Sequence, residues 1–228
     1  MLEAIGIGRQ EKGHRLLDDI SFSIGFGQRL ALVGPSGSGK TLLLRALAML
    51  DPLDVGWIRW RGRAVSENEV PKFRGQVMFL PQRPMLPEGT VEEILRQPFS
   101  LKVHAGKRFD QGKIIAFLAS LNQSDTFLSR RQGELSGGQT QLVALLRAIQ
   151  LEPEILLLDE PTTALDREAV EMAESLVTTW FKGQPETLRA TVWVTHDQEQ
   201  IRRVSTSSLH IRGGKLVEDC LPREARDG

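Results

Sequence analysis

The chain has 228 residues, with 29 Lys plus Arg against 29 Asp plus Glu, so its formal net charge is zero. Hydrophobic residues make up 40% and charged residues 25%, which is typical of a soluble globular protein of one domain. We therefore expect no nucleic-acid partner, no secretory leader at residues 1–5, no membrane-spanning segment and, with Cys220 as the single cysteine, no internal disulfide.

Several stretches of the first 80 residues predict strands. Alternation of apolar and polar residues predicts half-buried strands, and short apolar runs predict buried ones. The alternating or glycine-bounded stretches, which favour a small antiparallel sheet, are 2–8, 17–24 and 56–62; the buried or strand-like runs are 29–33 and 76–80.

Residues 83–150 favour helices, at 91–96, 113–121 and 139–150, which predicts an inserted helical subdomain. The α/β core, with the antiparallel sheet, is expected at about 1–82 and 151–228. Strands at 155–160 and 191–195, a helix at 167–181 and a loop at 183–186 complete the pattern. Strands that alternate with helices and end in polar groups predict a parallel sheet whose site lies along one edge.

A complete phosphate-binding loop stands at residues 34–41, Gly-Pro-Ser-Gly-Ser-Gly-Lys-Thr, which fits the pattern G-x-x-x-x-G-K-[ST]. It follows a predicted buried strand and precedes a helix predicted at 41–50, so the positive end of the helix dipole faces the phosphates. Lys40 is predicted to reach the β- and γ-phosphates, and the Thr41 hydroxyl to hold Mg²⁺. The nucleotide-binding residues predicted here are Gly34, Pro35, Ser36, Gly37, Ser38, Gly39, Lys40 and Thr41.

Two carboxylates, Asp159 and Glu160, end the apolar strand predicted at 155–160. In a nucleotide-binding core, the first acid is expected to hold Mg²⁺ and the second to polarise the water that attacks the γ-phosphorus. The alternative is an acidic turn that caps the next helix. The phosphate loop in the same chain favours the first interpretation.

A second anion-binding helix start is predicted at Leu135-Ser-Gly-Gly-Gln139, where Ser136 precedes two glycines that bare backbone N–H groups. The alternative is an ordinary N-cap. One chain has little use for two such sites unless the second faces the phosphate of another molecule.

Taken together, the motifs resemble the ATP-binding subunit of an ATP-binding-cassette (ABC) transporter over essentially the whole chain, residues 1–228. The resemblance implies a P-loop NTPase fold with a RecA-like parallel-sheet core, and the cofactors ATP and Mg²⁺. It also implies a head-to-tail dimer, of identical or different subunits, in which each ATP lies between one subunit's phosphate loop and the other's segment 135–139. Ser136 and Gly138 would contact the opposing γ-phosphate, with Gly137 and Gln139 in the same ATP-binding segment.

Further roles come with the same resemblance. Gln82 would complete the Mg²⁺ shell and report to a separate transmembrane permease, Asp166 would act across the dimer, and His196 would hold the γ-phosphate and the attacking water. Taken alone, a histidine at this position is more often a strand-end residue with a structural partner than a catalytic one, but its place after Thr-Val-Trp-Val-Thr and before Asp197 favours the catalytic interpretation. The Pro-rich segment 84–98 is predicted to dock the permease.

Within the family the chain is most similar to the iron-export, metal-resistance branch, on residues 82–90, Pro98-Phe99 and 192–197. We therefore expect a cytoplasmic ATPase on the inner face of the membrane that drives a metal exporter; the alternative is a soluble ABC ATPase without a transport role.

The family usually places an aromatic residue near position 11 to stack on adenine. This chain has no tyrosine and reads Arg-Gln-Glu-Lys-Gly-His at 9–14. The sequence therefore predicts weak adenine affinity or relaxed base choice, with Arg9 or His14 as planar substitutes.

Overall fold

A six-stranded sheet forms the centre of the described part of the chain in a computed structural model, which describes residues 1–183 and 188–217. Its strand order is β10-β9-β3-β8-β7-β6, and a second, four-stranded sheet has the order β2-β1-β4-β5. The strands are β1 (Leu2–Glu11), β2 (His14–Ile24), β3 (Arg29–Val33), β4 (Val55–Trp60), β5 (Arg63–Ala64), β6 (Val77–Leu80), β7 (Ile155–Asp159), β8 (Ala190–Val194), β9 (Ser207–Arg212) and β10 (Lys215–Val217).

Helices cover the sheets or connect their strands. They are α1 (Lys40–Leu47), α2 (Val70–Arg74), α3 (Val91–Arg96), α4 (Gln111–Ser120), α5 (Gly137–Ile149), α6 (Arg167–Lys182) and α7 (Gln198–Val204). Each helix expected from the sequence forms within a few residues of its predicted bounds. The helices α2 and α7 were not predicted.

The central sheet is parallel from β9 to β6, and β10 is antiparallel to β9. All five residues of β7 and of β8 are buried, as expected for strands covered on both faces. Successive residues of β7 alternate between two hydrophobic clusters. Leu156 and Leu158 pack with the helical layer, whereas Ile155 and Leu157 pack with α1 and the antiparallel sheet.

The second sheet confirms the predicted antiparallel unit. Leu2 of β1 pairs with Ile24 of β2 on one side and with Trp60 of β4 on the other. With the parallel core, this sheet confirms the predicted α/β fold class.

Segment 83–150 contains α3, α4 and α5 with short 3₁₀ helices between them, so its helical character is as predicted. Because α5 also packs against α6 and β6, the division into a helical subdomain and a core stays a prediction. Cys220 lies outside the described residues, and so does all of the loop predicted at 183–186 except residue 183. Within the described ranges, no helix has both the length and the apolar character needed to cross a membrane.

Candidate functional site

The predicted site residues follow four strands that are neighbours in the central sheet, in the order β3, β8, β7, β6. The phosphate loop follows β3, His196 follows β8, Asp159 and Glu160 end β7, and Gln82 follows β6. Because these strands are parallel, their carboxyl ends share one edge. The topology thus brings segments as much as 160 positions apart to one place.

The phosphate loop depends on close approach at Gly34. A Cβ atom on Gly34 would lie 2.2 Å from the Ile211 carbonyl oxygen, a distance that no side chain tolerates. The loop is also supported by Gly214, whose N–H donates to the Ser38 carbonyl at 3.0 Å. Gly39, at a φ of +105°, leads into α1 in a backbone conformation that favours glycine. The turn between β9 and β10 therefore forms one wall of the loop.

Lys40 is the first residue of α1 and is only 7% exposed. Its Nζ donates to the carbonyl oxygens of Gly34 at 2.8 Å and Pro35 at 2.9 Å, so the ammonium group spans the loop. Burial lowers the pKa of Lys40, and the negative charges of Glu160 and Asp159 oppose that shift. The lysine charge thus lies in the concave part of the loop, facing two carboxylates.

Thr41 and Asp159 are in direct contact, 118 positions apart in sequence. The Thr41 hydroxyl donates to Asp159 Oδ2 at 2.7 Å. Asp159 is 4% exposed, and burial is the largest cause of its raised pKa; the hydrogen bond from Thr41 acts in the opposite direction. Two oxygen groups, one of them a destabilised carboxylate, therefore meet beside the phosphate loop.

Glu160 lies at the centre of the second group. His196 Nε2 is 2.7 Å from Glu160 Oε1, Gln82 Nε2 donates to Oε2 at 2.8 Å, and the Thr163 hydroxyl donates to Oε2 at 3.2 Å. The Glu160 backbone has a φ of +45°, which is uncommon for a residue with a side chain. A carboxylate has about four acceptor positions, so these three contacts leave one free for a further donor.

Ser136 forms the helix start that the sequence predicted. It caps α5, its hydroxyl accepting from the Gln139 N–H at 3.2 Å while Gln139 Oε1 accepts from the Ser136 N–H at 3.1 Å. The side-chain hydrogen bonds of 136–139 go to this turn and to Arg130, with Arg130 Nη1 3.5 Å from Gln139 Oε1. Within the described residues of one chain, no hydrogen bond joins this segment to the phosphate loop.

Asp166 is not part of the Glu160 group either. It caps α6, accepting from the Ala169 N–H at 2.8 Å. The residues just before it pack on the start of α5, since a Cβ on Gly138 would lie 3.2 Å from Leu165 Cδ2. Asp166 and the 136–139 turn therefore lie close to each other in the fold.

Two contributors were missed by the sequence analysis. Thr163 donates to Glu160, and the hydroxyl three residues after the acid was the signal that could have found it. Ile211 forms the wall against Gly34 through its backbone carbonyl, and no side-chain pattern could have identified it.

The chain is similar to known proteins along most of its length. The family described as ABC transporter matches residues 17–163. The chain is 35% identical over 229 aligned positions to the sulfate/thiosulfate import ATP-binding protein CysA of Bordetella pertussis, covering 98% of this chain and 62% of the relative. It is 31% identical over 219 positions to the probable iron export ATP-binding protein FetA of Escherichia coli K12, covering 96% of this chain and 95% of the relative.

Two solved structures share the fold. A dimeric ATP-binding cassette in a post-hydrolysis state with ADP and Pi has a TM-score of 0.80 at 24% identity, covering 96% of this chain and 97% of its own. An ATP-binding subunit of an ABC transporter has a TM-score of 0.82 at 23% identity, covering 95% and 88%. The chain spans about 62% of the length of the sulfate relatives. The family match over 147 residues, and the similarity to the iron export protein along nearly its full length, show that this chain belongs to the ABC transporter family as an ATP-binding domain.

Proposed function

We propose that the chain is the ATP-hydrolysing subunit of an ABC transporter. The observation that carries this proposal is the arrangement of four adjacent parallel strands that deliver, at one edge, a phosphate loop, a carboxylate pair, a glutamine and a histidine. Each of these groups has a separate task in phosphoryl transfer to water. An ordinary structural ion-pair cluster would not require a glycine-rich loop at the start of a helix beside it.

The bound nucleotide is ATP, held by residues 34–41. Backbone N–H groups of the loop and the start of α1 face the triphosphate, and Lys40 supplies a positive charge that is already desolvated. Removal of that charge would leave the γ-phosphate without its nearest side-chain cation. Lys40 is therefore the residue whose loss should affect binding most.

The residues present also fit Mg²⁺. The hydroxyl of Thr41 and the carboxylate of Asp159 lie 2.7 Å apart, and both are the hard oxygen ligands that Mg²⁺ prefers. The described residues contain no cluster of three His, Cys, Asp or Glu that could hold a metal, so phosphates, waters and the Gln82 side-chain oxygen would complete the shell. When bound, Mg²⁺ neutralises charge on the β- and γ-phosphate oxygens.

Glu160 is the general base of the proposed reaction. Its free acceptor position takes the proton of a water as that water attacks the γ-phosphorus, and the bond to the β-phosphate oxygen breaks. His196 and Gln82 each hold one carboxylate oxygen, which fixes the plane of the carboxylate. His196 can also face the γ-phosphate through its exposed ring, which is 51% accessible.

The site is completed by a second ATPase subunit, identical or different. Among the described residues of one chain, the Ser136 turn makes no hydrogen bond to the phosphate loop, and a helix start of this kind presents backbone N–H groups suited to a phosphate. A head-to-tail dimer would bring Ser136, Gly137, Gly138 and Gln139 of one subunit to the γ-phosphate bound by the other, with Asp166 at the same interface.

A separate permease subunit would dock on the helical side. An apolar groove runs beside the Pro-rich segment and is lined by Met78, Pro84, Met85, Leu86 and Leu101, among others. Met85 is 94% exposed, which is unusual for a large apolar side chain. We propose that a short cytoplasmic helix of the permease occupies this groove, which would place the ATPase on the inner face of the membrane.

The transported substrate is proposed to be a metal, with iron as the first candidate. The support is the similarity to the probable iron export protein along 95% of its length. Relatives with comparable identity are described as importers of sulfate or of ferric ions. Assays of iron and of sulfate transport in both directions therefore test the cargo and the direction.

Phosphate release and detergent co-purification test the proposal. The wild-type chain should release phosphate from Mg-ATP at a rate per subunit that rises with protein concentration, and Lys40→Ala should neither bind nor hydrolyse ATP. A multi-span membrane protein should co-purify from detergent extracts, and Met85→Asp should release it without loss of basal hydrolysis. Hydrolysis without any membrane partner would favour the soluble ABC ATPase, and a rate per subunit independent of concentration would contradict the dimeric site.

A further inference from the structure

A buried polar cluster lies directly behind the Glu160 group and is not used by the proposed reaction. It consists of Thr162, Glu174 and Gln200, which are 9%, 8% and 3% exposed, together with Arg203 at its outer end. Buried polar side chains are retained at a cost in desolvation unless each one is hydrogen-bonded. Each of these four side chains is hydrogen-bonded to another member of the cluster. The cluster also lies beside the turn that follows Glu160, which suggests a function for it.

Gln200 is the centre of the cluster. Its Nε2 lies 3.1 Å from the Thr162 hydroxyl oxygen and 2.9 Å from Glu174 Oε1, so the two amide hydrogens have two different acceptors. Arg203 closes the far side with a bidentate contact, Nε to Glu174 Oε2 at 2.8 Å and Nη2 to Oε1 at 2.9 Å. The Glu174 charge is thereby neutralised within the cluster.

The cluster joins the two segments that carry Glu160 and His196. Thr162 follows Glu160 by two residues, in the turn where the Leu165 N–H donates to the Thr162 carbonyl at 3.1 Å. Gln200 follows His196 by four residues, on α7, which begins immediately after the cap residue Asp197. A shift of α7 relative to that turn would therefore move the His196 ring relative to the Glu160 carboxylate.

We propose that Gln200 is a positioning residue that holds His196 against Glu160 by tying α7 to the turn after β7. This inference rests on the proposed function, because it assigns Gln200 a part in the same hydrolytic site. Gln200 itself contacts Thr162 and Glu174, so its effect on His196 and Glu160 passes through the backbone of the turn and of α7.

The amide group is required specifically. A glutamate at position 200 would have the same shape, but it would place a second carboxylate beside Glu174 and would lack the two hydrogens that now reach Thr162 and Glu174. Exchanging the two groups, with Gln at 174 and Glu at 200, restores one amide and one carboxylate across the contact between these positions. The amide oxygen then present at position 174 can still accept from Arg203 Nε, whereas the contact from Arg203 Nη2 is lost. Rescue by this exchange would show that the hydrogen bonds of Gln200 matter, and not only the space that its side chain fills.

The test uses the full chain with Mg-ATP and compares Q200L, Q200E, the double variant E174Q/Q200E and the control Q150L. Gln150, at the end of α5, is also a buried glutamine, 8% exposed, and its side chain donates to the carbonyl of Leu95 on α3 at 2.7 Å. Steady-state kcat and KM, the thermal midpoint and the ¹⁵N shift of His196 Nε2 are measured for each variant. His196→Ala identifies the resonance.

We expect Q200L and Q200E to lower kcat by about 10- to 100-fold with KM changed less than about twofold, the size expected for a misplaced catalytic group. The His196 resonance should shift in both, and E174Q/Q200E should recover part of kcat and of the shift, since one of the two Arg203 contacts to position 174 is lost. Q150L should lose thermal stability without either change. The inference would be overturned if Q150L lowered kcat and shifted the His196 resonance as much as Q200L does for the same loss of thermal midpoint. It would also be overturned if E174Q/Q200E had a kcat no higher than that of Q200E.

The outcome for the proposed function is read separately. If the wild-type chain hydrolyses no ATP, or if Glu160→Gln hydrolyses it as fast as the wild type, the proposed function fails and the inference fails with it. If the wild type hydrolyses ATP, Glu160→Gln does not, and Q200L retains full kcat, only the role of Gln200 is wrong.

Discussion

His196 Nε2 lies 2.7 Å from Glu160 Oε1, although the two residues are 36 positions apart and belong to different strand ends. The contact exists because β7 and β8 are adjacent and parallel, with Asp159 paired to Val194 at their carboxyl ends. The Glu160 N–H extends this ladder by donating to the Val194 carbonyl at 3.1 Å. The backbone register of the sheet thus brings the two strand ends, and with them the two residues, next to each other.

Glu160→Gln should lower phosphate release at least about 100-fold, because an amide of the same shape cannot take a proton from water. ATP binding should remain within a few-fold of the wild type, since the phosphate loop is untouched. With hydrolysis blocked, an ATP-bound dimer should accumulate and be visible by light scattering. Glu168→Gln, a matched change at an exposed position on the first turn of α6, should have wild-type turnover; equal rates in the two variants would remove Glu160 from the role of base.

Gly34→Ala should disrupt the phosphate loop through a backbone clash. The added Cβ would lie 2.2 Å from the Ile211 carbonyl, so either the loop or the turn between β9 and β10 must shift. Overpacking of this kind costs about 1–3 kcal/mol, which in a chain of this size lowers the thermal midpoint by roughly 2–4 °C for each kcal/mol. ATP affinity should fall with it.

The control for this change is Gly106→Ala, where an added Cβ meets nothing within 4 Å and φ lies outside the left-handed region. Thermal unfolding and nucleotide titration of both variants provide the comparison. A Gly34→Ala protein that unfolds at the wild-type temperature and binds ATP normally would show that the Ile211 carbonyl does not constrain the loop.

Asp159→Asn should stabilise the nucleotide-free protein at neutral pH. Burial raises the pKa of Asp159 above its value in the unfolded chain, so the ionised carboxylate destabilises the fold. That penalty is fully present above the folded pKa and disappears as the pH falls through the folded pKa to the unfolded one, near 3.9. Asparagine keeps an acceptor for the Thr41 hydroxyl and removes the charge.

The difference between the thermal midpoints of Asp159→Asn and the wild type should therefore be positive at pH 7 and close to zero near pH 4. The same variant should lose Mg²⁺-dependent stabilisation by ATP, because a metal-ligand oxygen has lost its charge. A variant that is less stable than the wild type at pH 7 would mean that the carboxylate contributes favourably through contacts other than Thr41.

Much of the fold could be predicted because the central strands carry their own signal. A strand covered on both faces reads as an unbroken apolar run, as Ile155 to Leu158 does, and β3, β7 and β8 were found for that reason. In contrast, β9 reads Ser-Ser-Leu-His-Ile-Arg, and Ile211 is its one fully buried residue. It forms because Leu30 of β3 pairs with Ser207 across the sheet, a contact that no local pattern encodes.

The candidate site divides in the same way. Motif spacing identified which residues end or follow the central strands, from the phosphate loop at 34–41 to His196. It did not identify which of them touch, because the Thr41 contact with Asp159 spans 118 positions and depends on the order β3-β8-β7 in the sheet. The Gln200 cluster was missed for a related reason: a glutamine on a short helix is read as exposed until the partners that bury it are known.

The last prediction concerns recognition of the base. Arg9, one of the two planar side chains expected to replace the missing aromatic, has Nη1 3.3 Å from the Pro52 carbonyl and 3.5 Å from Asp51 Oδ2, so its guanidinium is engaged away from the β1–β2 turn. His14, exposed at the start of β2, remains as the substitute.

Without a stacking ring, ATP should bind weakly, because stacking contributes about 1–3 kcal/mol per base, and GTP should bind about as well as ATP. Glu11→Tyr, at the end of β1, should tighten ATP binding by about 5- to 150-fold, the range to which that energy corresponds. Nucleotide titration by calorimetry measures both effects. Glu11→Leu is the control, because it removes the same charge and adds an apolar side chain that has no aromatic ring. Tight, ATP-selective binding by the wild-type chain would mean that His14 or another group already recognises adenine, and Glu11→Tyr would then add little.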